Sequence, residues 1–317
     1  MKIKLLFTFI LFSKSIVAQN YTESFYPQNP YNLIFNNPAF TGAFENPMLL
    51  VSVNPSTDHG YGASFGIDYQ QYLDYIKGGI GISYNYYYTN ETYSGSNAIA
   101  KSEPELNYSP TIIINNDLTL KPGLGIGEHY ETINGWNNNP ENFINWKAGL
   151  LLFGDHYYFG FAANHINSPV NGLFETIYPY YSLNAGYNIC SKDSNKKRGL
   201  YFNAFYGQNS KDNEQVVPVV NSYQLEDFKI YYFMMSGVFR YKSFITGLSY
   251  TYAQQSGYHQ DGSLIGMIGL QNKRFRFSFS ATLITRYYSD GFYEILMRYN
   301  FHSSKHSKLP SSSIQIY

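Results

Sequence analysis

Cysteine is almost absent from this sequence, and charged residues are sparse. The chain of 317 residues has one cysteine, Cys190, which excludes an intramolecular disulfide framework and a cysteine-rich metal site. Charged residues make up 14% of the chain, whereas a typical soluble domain has roughly 25%. The formal net charge is zero, so nothing in the composition indicates a nucleic-acid partner.

Long apolar runs are also missing beyond the N-terminal segment. No later stretch approaches the roughly 18 uninterrupted apolar residues that a spanning helix needs. At the N-terminus, Lys2 and Lys4 precede the apolar run 5–12, and the small residue Ala18 follows, which is typical of a secretory signal peptide. We therefore predict a signal peptide over residues 1–18, cleaved near Ala18. If the mature chain crosses a membrane, it must do so as a closed β-barrel, because no other strand assembly satisfies its backbone in lipid.

Aromatic residues are abundant instead. The sequence has 34 tyrosines and 24 phenylalanines, and aromatic residues reach 19% of the chain. They alternate with glycine and small polar residues in many short segments, such as 61–70 and 275–283. A period of two places the two sets on opposite faces of a β-strand. An apolar aromatic face opposite a small polar face indicates a wall between lipid and a wet lumen.

The alternation predicts an all-β fold, a transmembrane antiparallel up-and-down β-barrel of the outer-membrane type with about 14 strands. The predicted strands lie near residues 48–54, 61–70, 77–88, 105–115, 117–127, 144–154, 156–165, 180–190, 198–208, 228–240, 242–253, 262–271, 273–285 and 291–301. Tight hairpins are predicted at 115–117, 154–155 and 271–273, and long polar connections at 135–142, 167–179 and 208–227.

Prolines leave the strand count open between 12 and 16. Pro110 and Pro122 fall inside two predicted strands, although proline cannot donate to a strand ladder. The run 216–220 contains Pro218 and is predicted to lie outside the wall for the same reason.

The last two predicted strands indicate which side chains face the lumen. Arg276 and Arg298 alternate with aromatic and aliphatic residues. An arginine on the lipid face at the bilayer midplane costs roughly 2–4 kcal/mol, so both side chains are predicted to point inward. The closing strand ends in the aromatic residue Phe301, and residues 302–317, rich in serine, lysine and histidine, are predicted to form a flexible tail.

Three local patterns resemble the PorP/SprF family of type IX secretion system membrane proteins. Residues 36–42 (Asn-Asn-Pro-Ala-Phe-Thr-Gly) are similar to the element that opens the family, and residues 159–169 to its middle strand and the following His-x-Asn-x-Pro turn. Residues 292–301 are similar to its last strand. The order of the patterns predicts an N-terminal periplasmic or lumenal segment over residues 19–47 and a barrel over residues 48–301.

The resemblance gives eight candidate site positions. They are Asn37, Pro38, Ala39, Gly42, His165, Pro169, Glu294 and Arg298. All of them except Pro169 also fit a structural role. The first four suit a turn into the first strand, the His165 side chain suits a hydrogen bond at a strand end, and the remaining two charges suit pairing within the lumen.

The resemblance implies an outer-membrane protein of a Bacteroidota bacterium that works with the type IX secretion apparatus. Its implied role is the export and surface attachment of a particular large secreted protein, often a gliding adhesin, whose C-terminal domain it binds. The implied partners are that domain, the translocon, periplasmic envelope-anchoring components and outer-membrane lipid.

Three alternatives compete with this function. The sequence predicts no enzyme, cofactor or metal, because its histidines lie near predicted loops, strand ends and the tail, and Asp155 and His156 would point to opposite faces of a strand. The main alternative is a passive or substrate-selective outer-membrane channel for small or hydrophobic solutes, which would share the composition and the alternation. A soluble secreted β-sandwich would need to bury more aromatic faces than one core can hold.

Overall fold

The structure is a computed structural model that describes residues 33–44, 46–56, 62–91, 97–133, 137–169, 179–189, 198–209, 213–219, 222–228, 230–255, 261–272, 274–285 and 293–301. The predicted signal peptide, residues 1–18, and the predicted tail, residues 302–317, lie outside the described residues.

Short helical turns precede and interrupt a series of strands. The helical turns are α1 (Leu33–Asn36) and two 3-10 helices, η1 (Pro38–Phe40) and η2 (Asp74–Ile76). The strands are β1 (Met48–Ser56), β2 (Gly62–Leu73), β3 (Gly78–Glu91), β4 (Asn97–Pro110), β5 (Ile112–Asn115), β6 (Leu118–Ile133), β7 (Asn137–Phe153), β8 (Tyr157–Asn164), β9 (Tyr180–Asn188), β10 (Arg198–Asn209), β11 (Asn213–Val219), β12 (Ser222–Phe228), β13 (Ile230–Tyr241), β14 (Phe244–Gln255), β15 (Asp261–Gln271), β16 (Phe275–Thr285) and β17 (Tyr293–Asn300). No helix among the described residues is long and apolar enough to cross a membrane.

The strands close into one antiparallel barrel. Neighbours along the chain pair with each other, β13 pairs with β10 across the excursion that carries β11 and β12, and β17 pairs with β1. The sheet order has 15 strands, and the β4–β6 pairing closes it. Because β4 and β5 are successive parts of one wall strand, the wall has 14 strands. The predicted fold class is therefore confirmed.

The break between β4 and β5 follows from the two prolines that made this region ambiguous in the sequence. The ladder pairs Tyr108 with Leu124 on one side of the break and Ile112 with Leu120 on the other. The same register places Pro110 opposite Pro122. Since neither proline has an N–H group, the backbone ladder is interrupted at this point without ending the wall.

Side chains alternate between a buried lumenal face and an exposed outer face, as the sequence pattern predicts. On β16 the three phenylalanines at odd-numbered positions are exposed, whereas Arg276 is buried. On β17 the pattern repeats, with Glu294, Leu296 and Arg298 buried and their neighbours exposed. The predicted inward orientation of both arginines is thus what the structure has.

Three predicted boundaries differ from the structure. The predicted connection 135–142 is wrong because β7 starts at Asn137 and pairs with β6, and β4 likewise starts at Asn97 rather than near residue 105. Backbone pairing continues here through polar residues that break the apolar alternation. The run 216–220 lies largely in β11, which pairs only with β12, so it is outside the wall but not an unstructured loop.

The barrel has two unlike ends. At one end the described connections are tight, including 116–117 between β5 and β6 and 242–243 between β13 and β14. The longest connections, 165–179 and 210–229, lie at the other end. We call these the short-turn end and the long-loop end. The N-terminal segment joins β1 at the short-turn end, where β17 also finishes.

Candidate functional site in the barrel lumen

The N-terminal segment lies inside the barrel near the short-turn end. Residues 33–44, which we call the lumenal segment, are buried from Leu33 to Ala43 wherever burial is described, except at the half-buried Asn36. The chain leaves this segment to enter β1 at Met48, and Phe35 lies deeper in the lumen, within reach of Lys147 on β7. The first four candidate positions of the sequence analysis all belong to it.

Asn37 fixes the turn in this segment and attaches it to the wall. Its side-chain Oδ1 accepts a hydrogen bond of 2.9 Å from the Ala39 N–H and so caps η1, with Pro38 in the first turn, where a missing N–H costs nothing. Its Nδ2 donates to the carbonyls of Leu150 on β7 and Phe161 on β8, each at 3.3 Å. The amide is fully buried, and both of its ends are used.

Lumenal side chains bind the backbone of the segment at four further points. Lys147 Nζ donates to the Phe35 carbonyl at 3.4 Å. Ser182 Oγ donates to the Asn36 carbonyl at 3.5 Å, and Ser109 Oγ donates to the Ala39 carbonyl at 3.2 Å. Gln70 Oε1 accepts from the Gly42 N–H at 2.9 Å. These contacts satisfy backbone groups that burial would otherwise leave without partners.

Glycines of the wall make room for this close approach. A Cβ atom added at Gly79, Gly123 or Gly149 would overlap the backbone of Thr41, the backbone of Ala39 or the side chain of Asn37, respectively. Within the segment, Gly42 has a φ of +63° and its Cα lies against Gly79. A larger residue at position 42 would meet both the left-handed conformation and the wall.

Apolar side chains surround the other side of the segment. Phe40 is fully buried and meets Tyr158 edge-to-face, with ring centroids 5.3 Å apart. The same cluster includes residues from strands around the barrel, namely Leu50, Leu151, Phe153, Tyr201, Val238, Met267 and Leu296. The short-turn end of the lumen is therefore a packed core with the lumenal segment at its centre.

A network of charged side chains lies on the lumenal faces of β4, β6 and β7. The His129 ring nitrogens lie 2.6 Å from Glu103 Oε1 and 3.3 Å from Glu131 Oε2, and Lys101 lies 3.3 Å from Glu131. Lys147 is also ion-paired, with Glu105. Because a carboxylate only accepts, a His129 nitrogen that bonds to either glutamate must carry a hydrogen. Charges taken out of water need such paired neighbours.

His165 and Pro169 lie at the end of β8, away from the lumenal segment. His165 is buried with a φ of +54°, and its backbone N–H donates to Asn145 Oδ1 at 3.0 Å. Asn167 supplies the main contact of this turn. Its Oδ1 accepts from the Trp146 N–H at 3.0 Å and its Nδ2 donates to the Ile144 carbonyl at 2.7 Å, so its amide continues the β7 ladder where β8 has ended.

Glu294 and Arg298 face the lumen on β17, on either side of Leu296. The direct cross-strand neighbour of Arg298 on β16 is Arg276, and that of Glu294 is Ser280. The structure thus separates the candidate residues into three places: the lumenal segment, the end of β8 and the inner face of β17.

Two short patterns associated with catalysis or metal binding occur in the chain. Gly62 to Gly66 has the spacing Gly-x-Ser-x-Gly, but it lies within β2 rather than at the strand-to-helix turn of a nucleophile elbow. His302 and His306 are four residues apart and lie outside the described residues. Among the described residues, no group of three or more histidine, cysteine, aspartate or glutamate side chains is placed to hold a metal ion.

Several residues of the site do not stand out in the sequence. Gln70, Ser109 and Ser182 look like ordinary small or polar lumenal residues in a strand pattern, and so do the wall glycines. The one available signal was the spacing of Asn167 within His-x-Asn-x-Pro, which the resemblance included without assigning a role to that residue.

A closed antiparallel barrel with an apolar outer face defines a β-barrel membrane protein of the outer-membrane type. The family model of type IX secretion system membrane protein PorP/SprF matches residues 18–299, so the chain belongs to the PorP/SprF family. This is a family of secretion membrane proteins and not a known enzyme family.

Solved structures show the same architecture at low sequence identity. The CymD monoaromatic hydrocarbon channel is 7% identical, with a TM-score of 0.52 over 91% of this chain and 98% of that chain. The P. putida toluene transporter TodX is 10% identical, with a TM-score of 0.50 over 91% of this chain and 97% of that chain. Identities this low carry the fold alone. No curated protein matches the chain.

Proposed function

We propose that this protein is an accessory barrel of the type IX secretion system, needed for the export and surface attachment of a cognate large secreted protein such as a gliding adhesin. Membership of the PorP/SprF family over residues 18–299 carries this proposal. The barrel holds the C-terminal domain of its cargo by its exposed loops or its rim. No chemical step is involved, so recognition is the whole mechanism.

The two ends of the barrel divide this work. Outer-membrane barrels have short turns on the periplasmic side and longer loops outside. The long-loop end, with the connections 165–179 and 210–229, therefore faces the cargo. The short-turn end, closed by the lumenal segment, faces the translocon and the envelope-anchoring components, after signal-peptide cleavage near Ala18.

The structure of the lumen gives no specific support to the channel alternative. The lumenal segment packs against side chains from strands around the barrel, and five of its residues bond to the wall. A path for solute would require this segment to leave or to shift. The likeness to CymD and TodX concerns the fold, so their titles do not supply a substrate for this chain.

The test is an affinity purification of the tagged full chain from its native outer membrane in mild detergent, with partners quantified by mass spectrometry. The expected result is recovery of a large secreted protein together with secretion-system components. A matched strain makes the same cargo without its C-terminal domain, and recovery should fall at least tenfold there.

Two results would overturn the proposal. One is equal recovery of the cargo with and without its C-terminal domain. The other is isolation of the barrel alone together with steady single-channel conductance in a planar bilayer, which is the behaviour of a channel.

A further inference from the structure

The lumenal segment crosses the barrel obliquely, along one row of residues that face each other across neighbouring strands. Pairs in an antiparallel sheet lie perpendicular to the strands, so such a row can be followed around the wall. From β3 to β9 the row consists of Gly79, Ser109, Gly123, Gly149, Ala162 and Ser182. Toward its own N-terminus, the segment contacts this row in the same order, as Gly42 with Gly79, Ala39 with Ser109, Asn37 with Gly149 and Asn36 with Ser182.

This row rises toward the long-loop end as it passes around the wall. Strands of a closed barrel are tilted, so a row perpendicular to them must climb. Gly79 is the second residue of β3, next to the short-turn end. Ser182 is the third residue of β9, which starts at the long-loop end with Tyr180. The segment thus climbs from the short-turn end to a point two residues from the long-loop end of β9, and Asn36 at this point is only half-buried.

Packing at the short-turn end opposes a second passage of the chain beside the segment. Among the described residues, Phe40, Leu50, Leu151 and Phe153 are fully buried there, and they belong to the same apolar cluster as Leu33. Protein interiors are close-packed. A stretch upstream of Leu33 could therefore return to the short-turn end only by displacing these side chains, whereas the direction of the segment itself continues toward the long-loop end.

We propose that the chain runs through its own barrel, so that residues 19–32 leave the lumen at the long-loop end and the mature N-terminus opens on the cell surface. Outer-membrane barrels have short turns on the periplasmic side, which makes the long-loop end the outer one. Because β1 starts at the short-turn end, its connection alone would place the N-terminus in the periplasm. The path of residues 36–42 along the rising row carries the opposite assignment.

The exit lies beside the long connection 165–179, which joins β8 to β9. Residues 19–32 therefore add to the surface that faces the cargo. This consequence rests on the proposed function and deepens it, because it assigns part of the cargo-facing surface to a particular stretch of the chain. The threading itself depends only on the strand register, the contacts of the segment and the orientation of the barrel.

Cysteine labelling in intact cells tests on which side of the membrane the N-terminus lies. Ser24→Cys, and separately Thr22→Cys, is made in the full chain in a Cys190→Ser background, and cells are treated with a large membrane-impermeant maleimide. Ile166→Cys is the control for the long-loop end, where Ile166 is exposed just after β8. Ser243→Cys is the control for the short-turn end, because Ser243 is exposed in the turn between β13 and β14.

Two checks precede the labelling. Heat-modifiable gel migration verifies that each variant has assembled as a barrel. Mass spectrometry verifies that the mature chain retains the substituted position after signal-peptide cleavage.

Ser24→Cys and Thr22→Cys should label in intact cells at a rate similar to that of Ile166→Cys. Ser243→Cys should label at least tenfold faster after the outer membrane is permeabilised than before. Labelling of the two N-terminal cysteines only after permeabilisation would place the N-terminus in the periplasm and overturn the proposal. Protection both before and after permeabilisation would also overturn it, because the chain would then end inside the lumen.

The threading and the proposed function can fail separately. Recovery of the cargo with the purified barrel reports on the proposed function, and labelling at position 24 reports on the threading. Labelling from outside on a barrel that recovers no cargo would support the threading and refute the proposed function. Recovery of the cargo by a barrel whose position 24 labels only after permeabilisation would support the secretion role and overturn the threading.

Discussion

The two sides of the lumen hold the same segment by different means. On the side formed by β2 to β9, hydrogen bonds and wall glycines contact its backbone directly. Apolar side chains pack around the segment from both sides, including Leu151, Phe153 and Tyr158 on β7 and β8, and on the side formed by β10 to β17, together with β1, they are Tyr201, Val238, Met267, Leu296 and Leu50. Hydrogen bonds to backbone groups require one geometry, whereas apolar burial is non-directional. We therefore expect the first side to set the position of the segment and the second side to stabilise the barrel around it.

Leu296→Ala should produce the largest loss of stability by removing buried volume on the apolar side. Large-to-small substitutions in a core cost about 2–5 kcal/mol, and Leu296 is fully buried. Urea unfolding followed by heat-modifiable migration measures the effect. Leu270→Ala is the control, since Leu270 is exposed on the outer face, and its loss should be clearly smaller.

A reporter cysteine shows whether the segment itself has moved. Thr41 is fully buried, so Thr41→Cys in a Cys190→Ser background should resist maleimide labelling while the segment is in place. Labelling should stay slow in Leu296→Ala if the polar side alone sets the position. Rapid labelling in that variant would contradict the division between the two sides.

Gly123→Ala should displace the segment, because overpacking at this position costs about 1–3 kcal/mol of stability. The added methyl group would overlap the Ala39 backbone, which cannot rotate away. Gly125→Ala is the matched control on the same face of β6, because its methyl group would meet the Asn107 side-chain amide, which can rotate. Maleimide labelling of the reporter should therefore rise in the first variant and remain slow in the second, and equal labelling would show that the close approach is not needed.

Asn37→Ala and Asn37→Asp separate the cap from the wall contacts. Each hydrogen bond contributes about 0.5–1.5 kcal/mol, and alanine removes all three. Aspartate keeps an acceptor for the Ala39 N–H but turns a carboxylate oxygen toward the Leu150 and Phe161 carbonyls, which the buried site penalises further. Reporter labelling should be fastest in the aspartate variant.

The control is Asn54→Ala, a buried lumenal asparagine on β1 whose Oδ1 has no hydrogen-bond partner among the described residues. In this variant the Thr41→Cys reporter should stay protected from maleimide labelling. If aspartate at position 37 labelled more slowly than alanine, the cap on η1 would outweigh the two wall bonds.

The wall was predictable from sequence because its signal is local. Every lipid-facing strand must alternate with a period of two, and residues such as Phe275 and Arg276 show this within a few positions. The site was not predictable in the same way. Gly79, Gly123 and Gly149 meet the lumenal segment only through the closed barrel, and each fits an ordinary lumenal position by itself. In the sequence alone, Pro110 and Pro122 are likewise two separate interruptions of the strand pattern. Only the register of the barrel shows that they lie opposite each other.

Asn167→Ala should have the smallest effect. It tests how far along the barrel the polar side extends. The loss of the bond to the Trp146 N–H is expected to cost about 1 kcal/mol, so hydrogen exchange at that amide should accelerate roughly fivefold. Asn115→Ala is the control, because Asn115 makes a similar local bond, accepting from the Asp117 N–H at 2.9 Å, at the opposite end of the barrel. Exchange at Trp146 should be unchanged in it. Reporter labelling should stay slow in Asn167→Ala, since this turn contacts β7 beyond the contact of that strand with the lumenal segment at Lys147. Faster labelling would mean that the turn and the segment are coupled through β7.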